Sequence, residues 1–255
     1  MRRFSRKNLG KREIELSRML ENRGMDIFSI QDLTQVSDYP ISEIELALHH
    51  LVKAGEINRL EKGKFCRHNF RDELVIGSYI SKGVVSYWSA LHFHGMTEQL
   101  PNIVYIQTNK RKKDKTIFGV DYHFITLPKM KIAGTIKHGV GNHQFFITNM
   151  DKTMVDCFDL TQYAGAYGDL VAAFLNYQPK MDSLIKYCKL INNSAAIRRI
   201  GFWMEVFDKS GIEKFKSFTQ EYIPKSYAKL DPSGGDEGKY NSKWRLLINV
   251  DTKRF

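Results

Sequence analysis

Cysteine is scarce in this chain. Cys66, Cys157 and Cys188 are scattered, and no two stand at the short spacing of a thiolate metal site. An odd, unpatterned count excludes a disulfide framework and fits a reducing compartment, so a cytoplasmic location is expected and each thiol should pack as a small apolar group. Long apolar runs are missing too. None approaches the roughly 20 residues a helix needs to cross a bilayer, so no membrane association is expected. Residues Met1 to Lys7 are basic but lead into no apolar stretch, so they do not read as a secretory signal. Gly139-Val140-Gly141 and Ser233-Gly234-Gly235 lack the Gly-Lys-Ser/Thr ending of a phosphate loop, and no cofactor is expected. There is no internal repeat and no low-complexity tract. Acidic side chains are in deficit: 28 against 39 Lys and Arg, a net charge of +11. That imbalance favours a polyanionic partner, most simply nucleic acid.

What is present is a 255-residue chain, 42% hydrophobic, long enough for one large or two ordinary domains. Its most legible stretch runs from Ser29 to Arg67. Ser29-Ile30-Gln31-Asp32 and Ser42-Glu43-Ile44-Glu45 both read as capping boxes, each opening a helix. The first helix buries Ile30 and Leu33 and stops before Pro40, which forces Tyr39 away from helical geometry. The second carries Ile44, Ala47, Leu48, Leu51 and Val52 at helical spacing, and Gly55 stands where a C-terminal cap belongs. Then Glu56 to Leu60 and Lys64 to Arg67 alternate like strands around a Lys62-Gly63 turn. A helix over Asn8 to Arg23, with Leu9, Arg12, Leu16, Met19 and Leu20 on one face, would back this unit.

Two helices and a hairpin in that order predict a winged helix-turn-helix that offers one helix to a DNA major groove and a wing to the backbone. On the second helix Ser42, Glu43, Glu45, Leu46, His49, His50 and Lys53 lie off the apolar stripe, as base-reading candidates. Arg59, Lys62, Lys64 and Arg67 crowd the hairpin as phosphate contacts, and Arg2, Arg3, Arg6 and Lys7 form an amino-terminal arm. A module of the same shape used only for protein contact is the bland alternative, and the acidic Glu43 and Glu45 favour it.

The domain boundary falls near Arg71, giving a winged helix over 1–71 and a second domain over 72–255. In the second domain Ser86 to Gly95 reads as a helix. Pro101 to Thr108, Tyr122 to Leu127, Ile132 to Ile136 and Gln144 to Ile147 read as strands. Helical periodicity follows over Asp151 to Leu160, Gly168 to Tyr177, Met181 to Ile191, Ser194 to Phe207 and Gly211 to Tyr222, before a closing strand over Trp244 to Val250. Strands, then helices, then a returning strand make an α+β chain.

Several clusters invite chemistry. His92 and His94 stand two apart and would diverge on a helix, so no metal is expected there. Asp151, Asp156 and Asp159 could suggest a metal-dependent nuclease, but two-metal chemistry needs carboxylates converging from several elements; helix capping and ion pairing explain them better. A second nucleic-acid patch is conceivable from the basic loop Lys110, Arg111, Lys112, Lys113 and Lys115 and from the helical pair Arg198 and Arg199. Residues 1–72 carry 14 basic and 11 acidic groups, a net +3, which leaves +8 of the +11 for the rest.

A set of local patterns resembles one family. Ser86-Tyr87-Trp88-Ser89-Ala90-Leu91-His92 with Gly95-Met96-Thr97-Glu98-Gln99 and Pro101, Val104-Tyr105-Ile106-Gln107-Thr108, and Asp151-Lys152-Thr153-Met154-Val155-Asp156-Cys157 with Tyr163-Ala164-Gly165 come in that order. Asn193 to Gly201, Leu230-Asp231-Pro232 and Lys243-Trp244-Arg245-Leu246 follow. In order and across nearly the whole chain, these resemble the AbiEi-type antitoxins of abortive-infection (type IV) toxin–antitoxin systems. The resemblance implies a non-enzymatic transcriptional autorepressor whose winged helix binds inverted repeats in double-stranded promoter DNA. It also implies an antitoxin domain that counters a nucleotidyltransferase-like toxin without a stable complex. The competing expectation is a nuclease or nucleotide-acting enzyme targeted by a winged helix.

Overall fold

The computed structural model describes residues 9–99 and 102–255, so the basic arm Arg2, Arg3, Arg6 and Lys7 and the expected strand start at Pro101 lie outside the described residues. The chain is mixed α and β: helices and strands interleave at first, and strands, then helices, then a closing sheet follow.

Local rules account for the first unit. Helix α1 (Lys11–Asn22) leads to a short strand β1 (Ile27–Ser29) and helix α2 (Ile30–Val36). The Ser29 box forms in full: Asp32 N donates to Ser29 Oγ at 3.1 Å, and Ser29 N donates to Asp32 Oδ2 at 2.7 Å. The expected second box does not form. Helix α3 (Ile41–Ala54) begins earlier, on Pro40, whose extended ψ of 149° lets its carbonyl accept from Glu43 N and Ile44 N. Ser42 therefore sits inside the first turn and caps nothing. Gly55, at φ 75°, ends the helix in the left-handed conformation that costs glycine least. Strands β2 (Ile57–Glu61) and β3 (Lys64–Arg67) form the hairpin, and β1 adds to β3 to give the order β1-β3-β2.

This small sheet is covered on both faces, which follows from the period-two alternation of strand side chains. Phe28, Ile57 and Phe65 pack with Leu16, Leu20, Leu33, Ile44, Leu48 and Leu51 of the helices. Their neighbours Ile27, Leu60 and Cys66 point the other way and share a core with Val75, Ile76, Val104, Tyr122 and Ile147 of the next layer. Each fully buried leucine contributes about 1.5–3 kcal/mol relative to an exposed one, so the hairpin is held as a wall.

That next layer is helix α4 (Glu73–Ser81) against a six-stranded mixed sheet. Its strands are β4 (Val84–Val85), β5 (Ile103–Thr108), β6 (Lys115–Ile117), β7 (Val120–Thr126), β8 (Thr135–His138) and β9 (Phe145–Thr148). Their spatial order is β6-β7-β5-β4-β9-β8. Part of the expected basic loop is thus strand β6, and the strand expected over Ile132 to Ile136 lies slightly later. Helices α5 (Tyr87–Phe93), α6 (Met150–Asp159), α7 (Tyr167–Asn176), α8 (Met181–Ile191), α9 (Ser194–Val206) and α10 (Ile212–Thr219) enclose the largest core. Asn149, not Asp151, caps α6: its side chain accepts from Lys152 N. A second small sheet closes the chain. It comprises β10 (Ala228–Lys229), β11 (Lys239–Asn241) and β12 (Leu246–Ile248), ordered β10-β12-β11. No helix among the described residues is long and apolar enough to cross a membrane.

Candidate nucleic-acid interface

Helix α3 buries Ile44, Ala47, Leu48 and Leu51, so its opposite side must face out. Ser42, Glu45, Leu46, His49, His50 and Lys53 are exposed there, and Leu46 is 51% accessible. Between this face, the start of α2 and the hairpin lies a groove of about 660 Å³, lined by Gln31, Ile41, Glu45, His49, Arg59 and Lys62 among others. It is open to solvent among the described residues.

The sequence-expected residues divide into two groups. Arg59, in the middle of β2, and Lys62, in the turn, are both exposed; among the described residues Arg59 donates only to the carbonyl of Glu61, and Lys62 has no ion-pair partner. Lys64 and Arg67 are tied inward instead. Lys64 Nζ donates to the carbonyls of Tyr79 (3.3 Å) and Ile80 (2.7 Å) at the end of α4 and pairs with Glu61 at 2.9 Å. Arg67 pairs with Glu21 and Asp26. The difference is position in the sheet: Arg59 lies on the edge strand β2 and Lys62 in the turn, whereas Lys64 and Arg67 lie on the central strand β3.

The acidic groups of the helix are also unequal. Glu43 is neutralised by Arg12 of α1 at 2.7 Å, and Glu13 accepts from His50 Nδ1 at 2.7 Å. That hydrogen bond from His50, against the opposing effect of burial, holds the Glu13 carboxyl below its ordinary value. Glu45 faces the groove with no ion-pair partner among the described residues. At the hairpin, burial would raise Glu61, but hydrogen bonds from Lys112 and Lys64 outweigh it and hold the carboxyl below its ordinary value.

The basic loop divides in the same way. Lys112 Nζ reaches Glu61 at 2.7 Å and Lys115 donates to the carbonyl of Leu60, so both clamp the loop to the hairpin. Lys110, Arg111 and Lys113 remain exposed beside it. Arg198 and Arg199 do not belong to any surface patch. They are 3% and 7% accessible and donate to main-chain carbonyls: Arg198 to Ser194, Ser226 and Arg245, Arg199 to Lys229 and Phe158. Burial also lowers the proton affinity of both guanidiniums. The expectation of a helical arginine patch is corrected: α9 turns that side into the core, where the long guanidinium donors reach main-chain carbonyls.

Sequence reasoning missed two cations. Lys82 and Lys137 are exposed and line a cleft of about 570 Å³ that shares Ser29, Gln31 and Lys64 with the helix groove. They come from the end of α4 and from β8, far apart in sequence, and only the tertiary fold brings them beside the head. The seam there is stitched by Asn142, whose amide pairs with both main-chain groups of Ile27 (2.8 and 2.7 Å), by His143 on Asp26 (2.7 Å), and by Tyr79 Oη on Asp32 (2.7 Å). Asn142 thus occupies the free edge of β1 as a neighbouring strand would.

The residues of the enzymatic alternative do not meet. Asp156 is held by Lys152 and by Gln107 Nε2 at 2.8 Å, and Asp159 by Asn193 at 2.7 Å. His94 contacts the carbonyl of Thr148 at 2.8 Å and His92 that of Thr97 at 3.3 Å. Asp151, expected to open the helix, is buried and accepts from Tyr177 Oη and Lys180 N. Among the described residues no group of three His, Cys, Asp or Glu is placed to hold a metal ion.

The sequence matches no family model and no curated protein. Among solved structures the chain is similar to the RV2827C protein from Mycobacterium tuberculosis, with a TM-score of 0.69 at 11% identity, over 94% of this chain and 92% of that one. A likeness at that identity speaks to the fold.

Proposed function

We propose that the chain is a sequence-specific DNA-binding regulator whose first unit is a winged helix-turn-helix, acting as the autorepressing antitoxin of a type IV toxin–antitoxin system. The observation that carries the DNA-binding part is the pairing of an exposed α3 face with the exposed edge and turn of the hairpin across one groove. Ser42, Leu46 and His49 would lie against base edges, with Lys53 at the margin. Arg59 and Lys62 would take phosphates on one flank and Lys82 and Lys137 on the other. Electrostatics favour the second flank. Residues 9–72 hold 10 basic and 11 acidic groups, a net −1, so this part of the head has no excess charge of its own. Lys110, Arg111 and Lys113, held beside the hairpin by their clamped neighbours, add to the field a duplex would meet.

The antitoxin part rests on the ordered sequence patterns. Footprinting on the DNA upstream of the chain's own reading frame tests the first part: protection of an inverted repeat is expected, and equal affinity for scrambled DNA would refute it. Co-expression with the product of a neighbouring nucleotidyltransferase-like gene tests the second. Growth should be restored without the two proteins co-purifying, and failure to restore growth would refute the antitoxin reading while leaving DNA binding standing.

A further inference from the structure

The closing sheet carries two exposed tyrosines on one face. Register decides which residues lie on it. Ala228, Leu246 and Asn241 form one row, and Ala228 and Leu246 point into the main helical core. The adjacent row is Lys229, Leu247 and Tyr240, and by alternation it points outward. Tyr227 and Arg245, each one residue before an inward-facing position, share that outward face. The side chains bear this out: the rings of Tyr227 and Tyr240 meet at 4.8 Å between centroids, and Arg245 lies 5.4 Å from the Tyr227 ring while donating to its hydroxyl at 3.1 Å. Tyr240 is 69% exposed and Tyr227 39%.

The face is built firmly. Arg245 adopts φ 50°, a left-handed conformation that non-glycine residues hold only under constraint. The constraint comes from beneath: one nitrogen of buried Arg198 donates to the carbonyls of both Arg245 (2.6 Å) and Ser226 (3.0 Å), and Arg199 holds that of Lys229 (3.0 Å). The two guanidiniums therefore fix the backbone that carries both the tyrosine and the arginine.

We propose that this face is a stacking platform for single-stranded nucleic acid, with bases on Tyr227 and Tyr240 and a phosphate on Arg245. Flat rings beside a cation on an open sheet are what unpaired bases and their backbone require. The charge is right as well. Arg245 is bonded to the Tyr227 hydroxyl and has no carboxylate partner among the described residues, while Lys225 is exposed two residues before Tyr227. Lys229 is already matched by Asp236 at 2.6 Å. A protein partner would need apolar area, and the one aliphatic side chain of the outward row, Leu247, is only 8% accessible. The site is remote in sequence from the duplex-facing head and independent of it.

The test is fluorescence anisotropy of labelled oligouridine and oligothymidine strands on the full chain. Both should bind if the backbone sugar is not read, and preference for one identifies RNA or DNA as the natural strand. Tyr240→Ala should weaken binding about five-fold or more, while Tyr240→Phe, which keeps the ring, should bind like the parent. Neither change should alter affinity for promoter duplex, which separates failure here from failure of the regulator reading. Circular dichroism guards against unfolding, which so exposed a side chain is not expected to cause. Absence of single-strand binding, equal affinity of parent and Tyr240→Ala, or displacement of the strand by polyglutamate as readily as by unlabelled oligonucleotide would overturn the proposal. The last result would mark the face as one for acidic protein.

Discussion

Two pairs of cations, one on the hairpin and one on α9, look alike as sequence and differ in the fold. Arg59 stands on the edge strand β2 and Lys62 in the turn of a sheet whose two faces are covered, and both side chains are exposed at its margin. Arg198 and Arg199 stand in the first half of a helix whose surroundings are apolar on nearly every side, and they are buried with their donors on carbonyls. A basic residue in a sequence reports that a charge exists. Whether it faces a ligand or props a backbone depends on how much of its element lies outside the core. The same distinction divides Arg59 and Lys62 from Lys64 and Arg67, only a few residues away.

The largest expected effect attacks the buried pair. Arg198→Ala should cost about 2–4 kcal/mol of stability in urea unfolding, because the carbonyls of Ser226 and Arg245 lose a charged donor inside the protein. Duplex affinity of the folded fraction should not change. If binding fell with stability intact, the two pairs would not differ as described. Next in size, Arg59→Ala with Lys62→Ala should weaken duplex binding roughly ten-fold and lower the salt slope by about 1.8, for two phosphates lost, with unfolding unchanged within about 0.5 kcal/mol. An unaltered slope would mean this side of the hairpin meets no phosphate.

Lys64→Ala sharpens the contrast. Its ammonium closes the end of α4, so about 1 kcal/mol of stability should go, with a salt slope like the parent's. A slope lowered by about 0.9 would move Lys64 into the phosphate set. His49→Ala is subtler. It should shift the preference between related operators, read in competition experiments, and an equal loss on every sequence would remove its assigned base contact.

Much of this was legible before any coordinates. The Ser29 box, the Ile44–Leu51 stripe and the Gly55 stop are local signals, so the helices and hairpin of the head stand where spacing places them. The helices from α6 to α10 were equally plain, having long periodic segments. What sequence hid was short or non-local. Strand β1 has three residues, too few to alternate visibly, and β4 has two. Ser42 mimicked a cap because Pro40 upstream offered a carbonyl that served in its place. Lys82 and Lys137 reach the head through tertiary packing alone, a relation that no spacing rule contains. The seam that joins head to body rests on Asn142 and His143, residues a turn would explain without any partner.

The smallest expected effect concerns that seam and shows why its chemistry matters to the head. Asp32 caps α2 and at the same time accepts from Tyr79 of α4, so a single carboxylate joins the cap to the body. Burial alone would raise its proton affinity, but the hydrogen bonds from Tyr79 and from Ser29 together outweigh it, and the carboxyl titrates below its ordinary value. A depressed carboxyl stabilises the fold above its unfolded pKa, near 4, and that contribution disappears as pH falls through the lower, folded value. Asp32→Asn keeps an acceptor for both bonds but cannot titrate. Its melting temperature should therefore lie slightly below the parent's at neutral pH, and the gap, on the order of 1–3 °C, should close on acidification below pH ~4. A gap that stayed constant down to strong acid would show that the carboxylate's charge plays no part in holding head to body, leaving Asn142 and the shared core around Ile27 and Cys66 to do so.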